Sequence, residues 1–453
     1  MTNSPQSPLR RDAVEVVRRL QGAGFTAYWA GGCVRDMLLG IEPKDYDIAT
    51  NAVPDQVAAL FPGAHFVGKA FGVVRVPIGD AEYEVATFRR DAPYEDGRHP
   101  REVVFSDPVT DAQRRDFTIN ALFHDPLTGQ THDFVGGCAD LQARVVRTVG
   151  DPDSRFREDH LRILRAVRFI STLGFTLDPP AAAAISRNAR LLERVSGERI
   201  RDELTRILTE ALKPGDALTM LDGLGLLPVL LPEVAAMKGQ AQPPDFHPEG
   251  DVFTHTVLML NTAHRPSPEL AFEILLHDVG KPPTAHIKDG RIRFEGHATI
   301  GADMAKGIME RLRFPSEMTE RVCFAIGNHM RFVDVRRMRT ATLRRLVGAR
   351  TFATELELHR LDCLSSHRDL ENYRFLVEFR QRLADEPALP PPWITGDDVM
   401  ALGIPEGREV GSWHRKAYEA QLEGRFADRG ALLDWLRQEV AARRASPDPE
   451  RGS

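Results

Sequence analysis

AGGCVRDMLLGIEPKDYDIAT, residues 30–50, is the stretch on which the reading of this chain turns. Gly31 and Gly32 follow an apolar run, Phe25–Ala30, that reads as a strand, and they precede a short helix. Without a Cβ the backbone there can approach a triphosphate closely, and amide N–H groups at the helix start can donate to its oxygens. Arg35, in the first turn of that helix, brings a guanidinium within reach of the same phosphates. Asp45 and Asp47 come next. If Asp45–Ala49 is a strand, residues two apart share a side, so both carboxylates converge while Tyr46 turns away. Paired hard oxygen ligands suit Mg²⁺, which also takes oxygens from substrate phosphates. Such a pair supports an in-line displacement in which a hydroxyl attacks and pyrophosphate leaves. A third carboxylate is expected from the strand YEVATF (83–88), where Glu84 is the candidate and Glu82 shares its face.

Working outward, residues 11–23 read as a helix, and further strand candidates stand at Gly72–Pro77, Glu82–Phe88 and Val103–Phe105. From about Asp159 onward the pattern is almost wholly helical. Proline-rich Gln240–Gly250 and Ala384–Trp393 mark boundaries. The expected organisation is an α/β head over 1–150, a helical neck over 151–239, a middle helical domain over 240–383 and a helical tail over 384–453. The fold class is therefore α+β, with one small mixed sheet.

With 42% hydrophobic and 27% charged residues the 453-residue chain reads as soluble and globular. It has no apolar run long enough to span a bilayer (about 18 residues). The opening MTNSPQSPLRRD lacks the apolar core of a signal peptide. Cys33, Cys138, Cys323 and Cys363 are scattered without metal spacing, so reduced thiols in the cytoplasm are expected. The net charge of −6 does not point to nucleic acid, but a local positive field is enough for backbone contacts. Residues 331–350 hold seven arginines against one acid, Asp334. Two readings stay open there: a solvated helix face, or a contact with an RNA backbone.

Seven motifs in order cover roughly the first half of the chain: GGCVRD (31–36), DYD (45–47), EVATFRRDAPYEDGRHPREVVF (84–105), RRDFTINAL (114–122), DFVGGCADL (133–141), EDHLRILRAVRF (158–169) and ERIRDEL (198–204). Together they resemble the class II tRNA nucleotidyltransferases, the CCA-adding enzymes and bacterial poly(A) polymerases of the polymerase β superfamily. The resemblance implies a polymerase β-like head that adds C and A from CTP and ATP to the 3′ end of tRNA. It assigns Arg115 to the phosphates, Asp116 to the ribose 2′-hydroxyl, and Asp159 and Arg162 to the base, with Arg165 and Arg168 in support. In this family, enzymes that add only C have a shortened loop where Arg89–Arg101 stands. Here the loop looks intact, which argues against that restriction.

The chemistry of base choice fits those residues. On one continuous helix Asp159, Arg162, Arg165 and Arg168 drift about 60° per step, so Asp159 and Arg162 are neighbours. Leu161, Leu164 and Val167 form the apolar stripe, and Arg168 lies nearest to it. Cytosine and adenine both present an amino donor beside a ring-nitrogen acceptor, whereas uracil and guanine present a carbonyl beside an N–H. A fixed carboxylate next to a guanidinium accepts the first pair and rejects the second.

Behind the first linker come His255, His277-Asp278 in LLHDVGK, His297, His329 and Asp362. His255, His277, Asp278 and Asp362 resemble the H…HD…D pattern of the HD phosphohydrolase superfamily. That implies a divalent transition metal, with His297 and His329 as extra ligands. The tail, WITGDDVMALGIPEG (393–407), resembles loosely the family's segment that contacts the tRNA body. Three other functions fit some of these residues: a tRNA nucleotidyltransferase that adds only A, a poly(A) polymerase, and, from another class, an HD phosphohydrolase whose head merely binds RNA.

Overall fold

Strand Ala27–Ala30 runs into the glycine turn, and helix Gly32–Leu38 leaves it. The computed structural model describes residues 7–68, 71–91, 97, 103–244, 247–383 and 386–445. Two compact units contain the chain. One comprises residues 1–240, 252–271 and 306–319; the other comprises 241–251, 272–305 and 320–453.

The first unit is built on a seven-stranded sheet in the spatial order His65–Gly68, Val73–Ile78, Ala81–Thr87, Ile48–Thr50, Ala27–Ala30, Leu122–His124, Thr131–Asp133. Its pairings are antiparallel except Ile48–Thr50 with Ala81–Thr87, which makes the sheet mixed, as expected. Helix Pro8–Gly22 buries Ala13, Val16, Val17 and Leu20, the three-and-four spacing of one helical face. Phe88, Phe123, Ala49 and Ala121 fill the core beside the turn. Helices Arg162–Leu173, Gly197–Glu210 and Pro214–Gly223 form the helical part that follows.

Two expectations about local structure are corrected. The strand expected over Asp45–Ala49 begins at Ile48, so Asp45 and Asp47 stand just before it. EDHLRILRAVRF is not one helix. Helix Pro152–Glu158 ends at Asp159, whose backbone is extended, and a new helix starts at Arg162. The Asp159 carboxylate accepts the Leu161 N–H at 3.1 Å, a local bond that competes with helix continuation.

In the second unit Phe332, Val335, Leu343 and Phe352 pack together, and Ile394, Val399, Trp413 and Leu436 form a further core in the tail. Thr395 caps helix Gly396–Ala401 through the Asp398 N–H, so the 393–407 segment is a folded core element. The arginine-rich segment 331–350 carries several ion pairs. Arg331 pairs with Glu355, Arg336 with Glu371, Arg344 with Glu386 and Arg345 with Glu419. Most of the loop Arg89–Arg101 lies outside the described residues; at its ends Arg89–Asp91 pairs with Val103–Phe105. No helix among the described residues is long and apolar enough to cross a membrane.

Candidate active site and metal centre

Gly31 sits at φ +75°, where a side chain is strained, and a Cβ there would stand 3.0 Å from Arg115 Nη1. Arg35 lies midway along the seven-residue helix and donates to the Asn120 side-chain oxygen at 2.7 Å, while also pairing with Asp36. Arg115 is held by Asp111 at 3.0 Å and by the Asn120 carbonyl at 3.2 Å. Asn120 thus orients both arginines beside the turn. Its position inside the RRDFTIN motif was the available signal, but its role needed the third dimension.

The alternation expected at Asp45 and Asp47 holds although the strand starts later. Tyr46 is 3% exposed and packs on Trp29 with ring centres 4.7 Å apart, while Asp45 and Asp47 on either side face outward. The Asp47 carbonyl accepts the Ala30 N–H at 2.9 Å, which ties this segment to the glycine turn. Glu84 follows from the parallel pairing, since Val85 lies opposite Ile48. Desolvation first, then the charges of Glu84 and Asp45, push Asp47 up to about 6 against the pull of Arg115. Of the two acids on that strand it is therefore Glu84 that faces the pair; Glu82 lies 3.5 Å from Arg75 and 3.8 Å from His65. Three carboxylates whose charges disfavour one another beside a phosphate-approachable turn are the donor set a divalent cation neutralises.

The residues assigned to nucleotide choice are tied down one by one. Asp159 pairs with Arg199 at 3.1 Å. Arg162 is nearly buried and is fixed by Glu158 at 2.6 Å and by the Arg155 and Arg114 carbonyls. Arg165 reaches Asp116 at 2.7 Å, and Arg168, buried, reaches Glu203 at 2.7 Å. Burial would raise the Asp116 carboxyl, but the Arg165 guanidinium overrides it and holds it at about 2. Burial also pulls Arg168 down to about 10. Glu158, Arg199 and Glu203 were quoted within motifs without a role; only their contacts reveal that they position the others.

In the second unit Asp278, His297 and His329 bring ligand atoms within 4.8 Å of one another. The Nδ1 atoms of His277, His297 and His329 lie 2.9, 2.8 and 2.6 Å from the carbonyls of Ile274, Phe294 and Ile326. A carbonyl only accepts, so each Nδ1 carries a proton; His277 then turns its Nε2 to Asp278 Oδ2 at 3.1 Å, while neutral rings at His297 and His329 present a lone pair at Nε2. The Nε2 atoms of His297 and His329 face each other at 3.3 Å. Burial lowers both imidazoles, His329 to about 4, which keeps them neutral. Burial would raise Asp278, yet His277 and then Lys281 hold it well below the usual carboxylate range. An ionised carboxylate and two facing lone pairs fit a metal cation, and the backbone carbonyls fix the ring orientation. Gly280 makes this packing feasible, because a Cβ there would lie 2.1 Å from the His297 carbonyl. Asp362 is half-buried on helix Phe352–Ser365, where its charge acts on His359 and Cys363. His255 is buried on helix Val252–Thr262 of the other unit.

With this geometry in place, similarity to known proteins is informative. Residues 27–147 match the poly A polymerase head domain, 174–238 the probable RNA- and SrmB-binding site of polymerase A, and 252–361 the HD domain. A CCA-adding enzyme of Geobacillus thermodenitrificans is 44% identical over 220 residues, 48% of this chain and 54% of the relative. Poly(A) polymerase I of Salmonella typhi is 41% identical over 211 residues, 44% of this chain and 45% of the relative. The chain spans about half the length of the curated relatives it matches. The crystal structure of the Bacillus stearothermophilus CCA-adding enzyme in complex with CTP superposes with a TM-score of 0.73 at 26% identity, covering 97% of this chain and 99% of that one. The Thermotoga maritima CCA-adding enzyme complexed with tRNA shares the fold, with a TM-score of 0.63 at 20% identity, covering 97% of each chain.

The mixed sheet and these matches define a polymerase β-like nucleotidyltransferase head, followed by a helical neck and an HD domain. More particularly, the chain is similar to CCA-adding enzymes and bacterial poly(A) polymerases, over about half its length in sequence and over 97% of it in fold. The family and the HD domain carry divalent-metal dependence with them.

Proposed function

We propose that this chain adds C and A from CTP and ATP to the 3′ end of tRNA in the cytoplasm, releasing pyrophosphate. The observation that carries the proposal is the strand register that sets Glu84 beside Asp47, on a segment tied to the Gly31 turn through the Ala30 N–H and the Asp47 carbonyl at 2.9 Å. Asp45 and Asp47 would hold Mg²⁺, which neutralises the triphosphate and favours ionisation of the attacking hydroxyl. Gly31 and Gly32 let the backbone approach the phosphates, and Arg35 and Arg115, pre-oriented by Asn120, turn guanidiniums towards them. Asp116 accepts a ribose hydroxyl; Arg165 keeps it ionised for that task. Asp159 and Arg162 read the base edge from fixed positions, with Arg165 and Arg168 bracing them. Rigid donors and acceptors discriminate because a wrong base leaves a buried polar group unpaired, at about 1–3 kcal/mol.

The test offers the purified protein tRNAs lacking CCA, CA or A, with CTP and ATP separately and together. Extension of all three to a complete CCA end is expected. Extension of only the last identifies an A-adding enzyme, and long A tracts identify a poly(A) polymerase.

A second activity is supported by the facing imidazoles at 3.3 Å. We propose metal-dependent phosphohydrolysis at Asp278, His277, His297 and His329, with a divalent transition metal; the family resemblance adds His255 and Asp362 to this set.

A further inference from the structure

Residues 286–293, HIKDGRIR, form a two-stranded antiparallel hairpin, His286–Lys288 with Arg291–Arg293. Asp289 (φ 51°) and Gly290 (φ 70°) make its turn. His286 stands opposite Arg293, Lys288 opposite Arg291, and Ile287 opposite Ile292. Side chains alternate along a strand, so one face carries His286, Lys288, Arg291 and Arg293 and the other carries the two isoleucines. All six strand residues are exposed except Ile292, which is half-buried. The chain as a whole has a net charge of −6, so this basic face is a local reversal of its field.

Such a face works against the fold. Like charges directly opposite each other destabilise a strand pair, and an isolated two-stranded ribbon is marginal to begin with. One acid relieves it: Glu295 lies 3.0 Å from Lys288. Among the described residues neither Arg291 nor Arg293 forms an ion pair, unlike Arg331, Arg336, Arg344 and Arg345, which are all committed to acids of their own unit. The sequence therefore keeps an unfavourable cross-strand pattern that folding does not require.

We infer that this basic hairpin face binds the sugar–phosphate backbone of the RNA substrate. The inference rests on the proposed nucleotidyltransferase activity. Cations two positions apart on a strand stand about 6.6 Å from each other, a row suited to successive charges of a polyanion. Arginine forks add bidentate bonds to phosphate oxygens. Binding relieves the cross-strand repulsion, so folding and recognition are coupled through the same charges.

The experiment uses the full chain and a tRNA lacking its 3′ CCA. Wild type, Arg291→Glu/Arg293→Glu and the milder Arg291→Gln/Arg293→Gln are compared in tRNA affinity over a salt series and in nucleotide addition. Charge reversal is expected to weaken binding about tenfold at low salt and to flatten log K against log[salt] by about 1.5, the counterion release of two lost phosphate contacts. The Gln pair should flatten it equally while costing less affinity. KM for tRNA should rise with kcat unchanged. Wild-type affinity and slope in both variants would overturn the inference, as would a loss confined to phosphohydrolysis at the adjoining His297 site. A wild-type protein that leaves tRNA unextended sinks the nucleotidyltransferase proposal instead, so the two failures are distinct.

Discussion

Arg165 Nη2 lies 2.7 Å from Asp116 Oδ2 and joins the helix that follows the head to the loop that closes it. One contact thus couples the residue assigned to the sugar with a residue supporting base choice. Asp116→Asn keeps the shape and removes the charge. We expect the preference for ribonucleoside over deoxynucleoside triphosphates to fall about tenfold, because a charge-assisted bond is weakened. Incorporation assays with paired CTP and dCTP measure this. The carboxyl titrates at about 2, below its unfolded value near 3.8, so the stability it contributes is present above that unfolded value and is lost as pH falls towards 2. Across neutral pH this contact is constant.

Asp45→Ala and Asp47→Ala should each reduce nucleotide addition by more than about a thousandfold, since several kcal/mol of charge stabilisation disappear. Binding of tRNA, measured by fluorescence anisotropy, should change by less than about threefold because surface contacts of this kind are worth little. Addition at near wild-type rates in either variant would remove the proposed metal pair.

Asp47 is raised to about 6, above its ordinary value, so the folded protein holds this proton more tightly than the unfolded chain does. The stability from that preference is present below about 4 and is lost as pH rises through 6. A cation takes the place of the proton only once the carboxyl ionises. Thermal unfolding with and without MgCl₂ should therefore show a larger stabilisation at pH 7.5 than at pH 5, and Asp47→Asn should abolish the difference.

Arg162→Ala should lower the preference for CTP and ATP over UTP and GTP by about tenfold, one buried bond's worth. It also leaves Glu158 without a partner seen here at 2.6 Å, so urea unfolding of the variant is needed alongside. Unchanged selectivity in a folded variant would place base reading elsewhere.

Asp278→Asn should lose metal retained on purification, read by elemental analysis, while nucleotide addition stays within about twofold. A metal content equal to wild type would mean that the facing imidazoles of His297 and His329 do not need the carboxylate.

Much of the site was legible before any coordinates. Gly31, Arg35, Asp45 and Asp47 lie within 17 consecutive residues, so their approximate grouping follows from short-range geometry. Alternation around Tyr46 survived the later start of the strand, because the packing of its ring on Trp29 turns it inward and leaves its two neighbours outside. Helical periodicity misled at EDHLRILRAVRF, since a single carboxylate-to-amide bond at Asp159 outweighed the pattern. Nor does an arginine count reveal whether acids from distant helices meet them, which is why residues 331–350 were ambiguous.

By itself the sequence determined the resemblance to CCA-adding enzymes and poly(A) polymerases, the order of its parts and which acids were candidates, for these depend on residue type and spacing along the chain. Tertiary structure alone decided that Glu84 and not Glu82 joins Asp47, that Asn120 aims both arginines, and that His297 and His329 face each other across 32 residues. Those choices depend on strand register and helix packing, where contacts between distant residues set which of several chemically equivalent groups reaches the site.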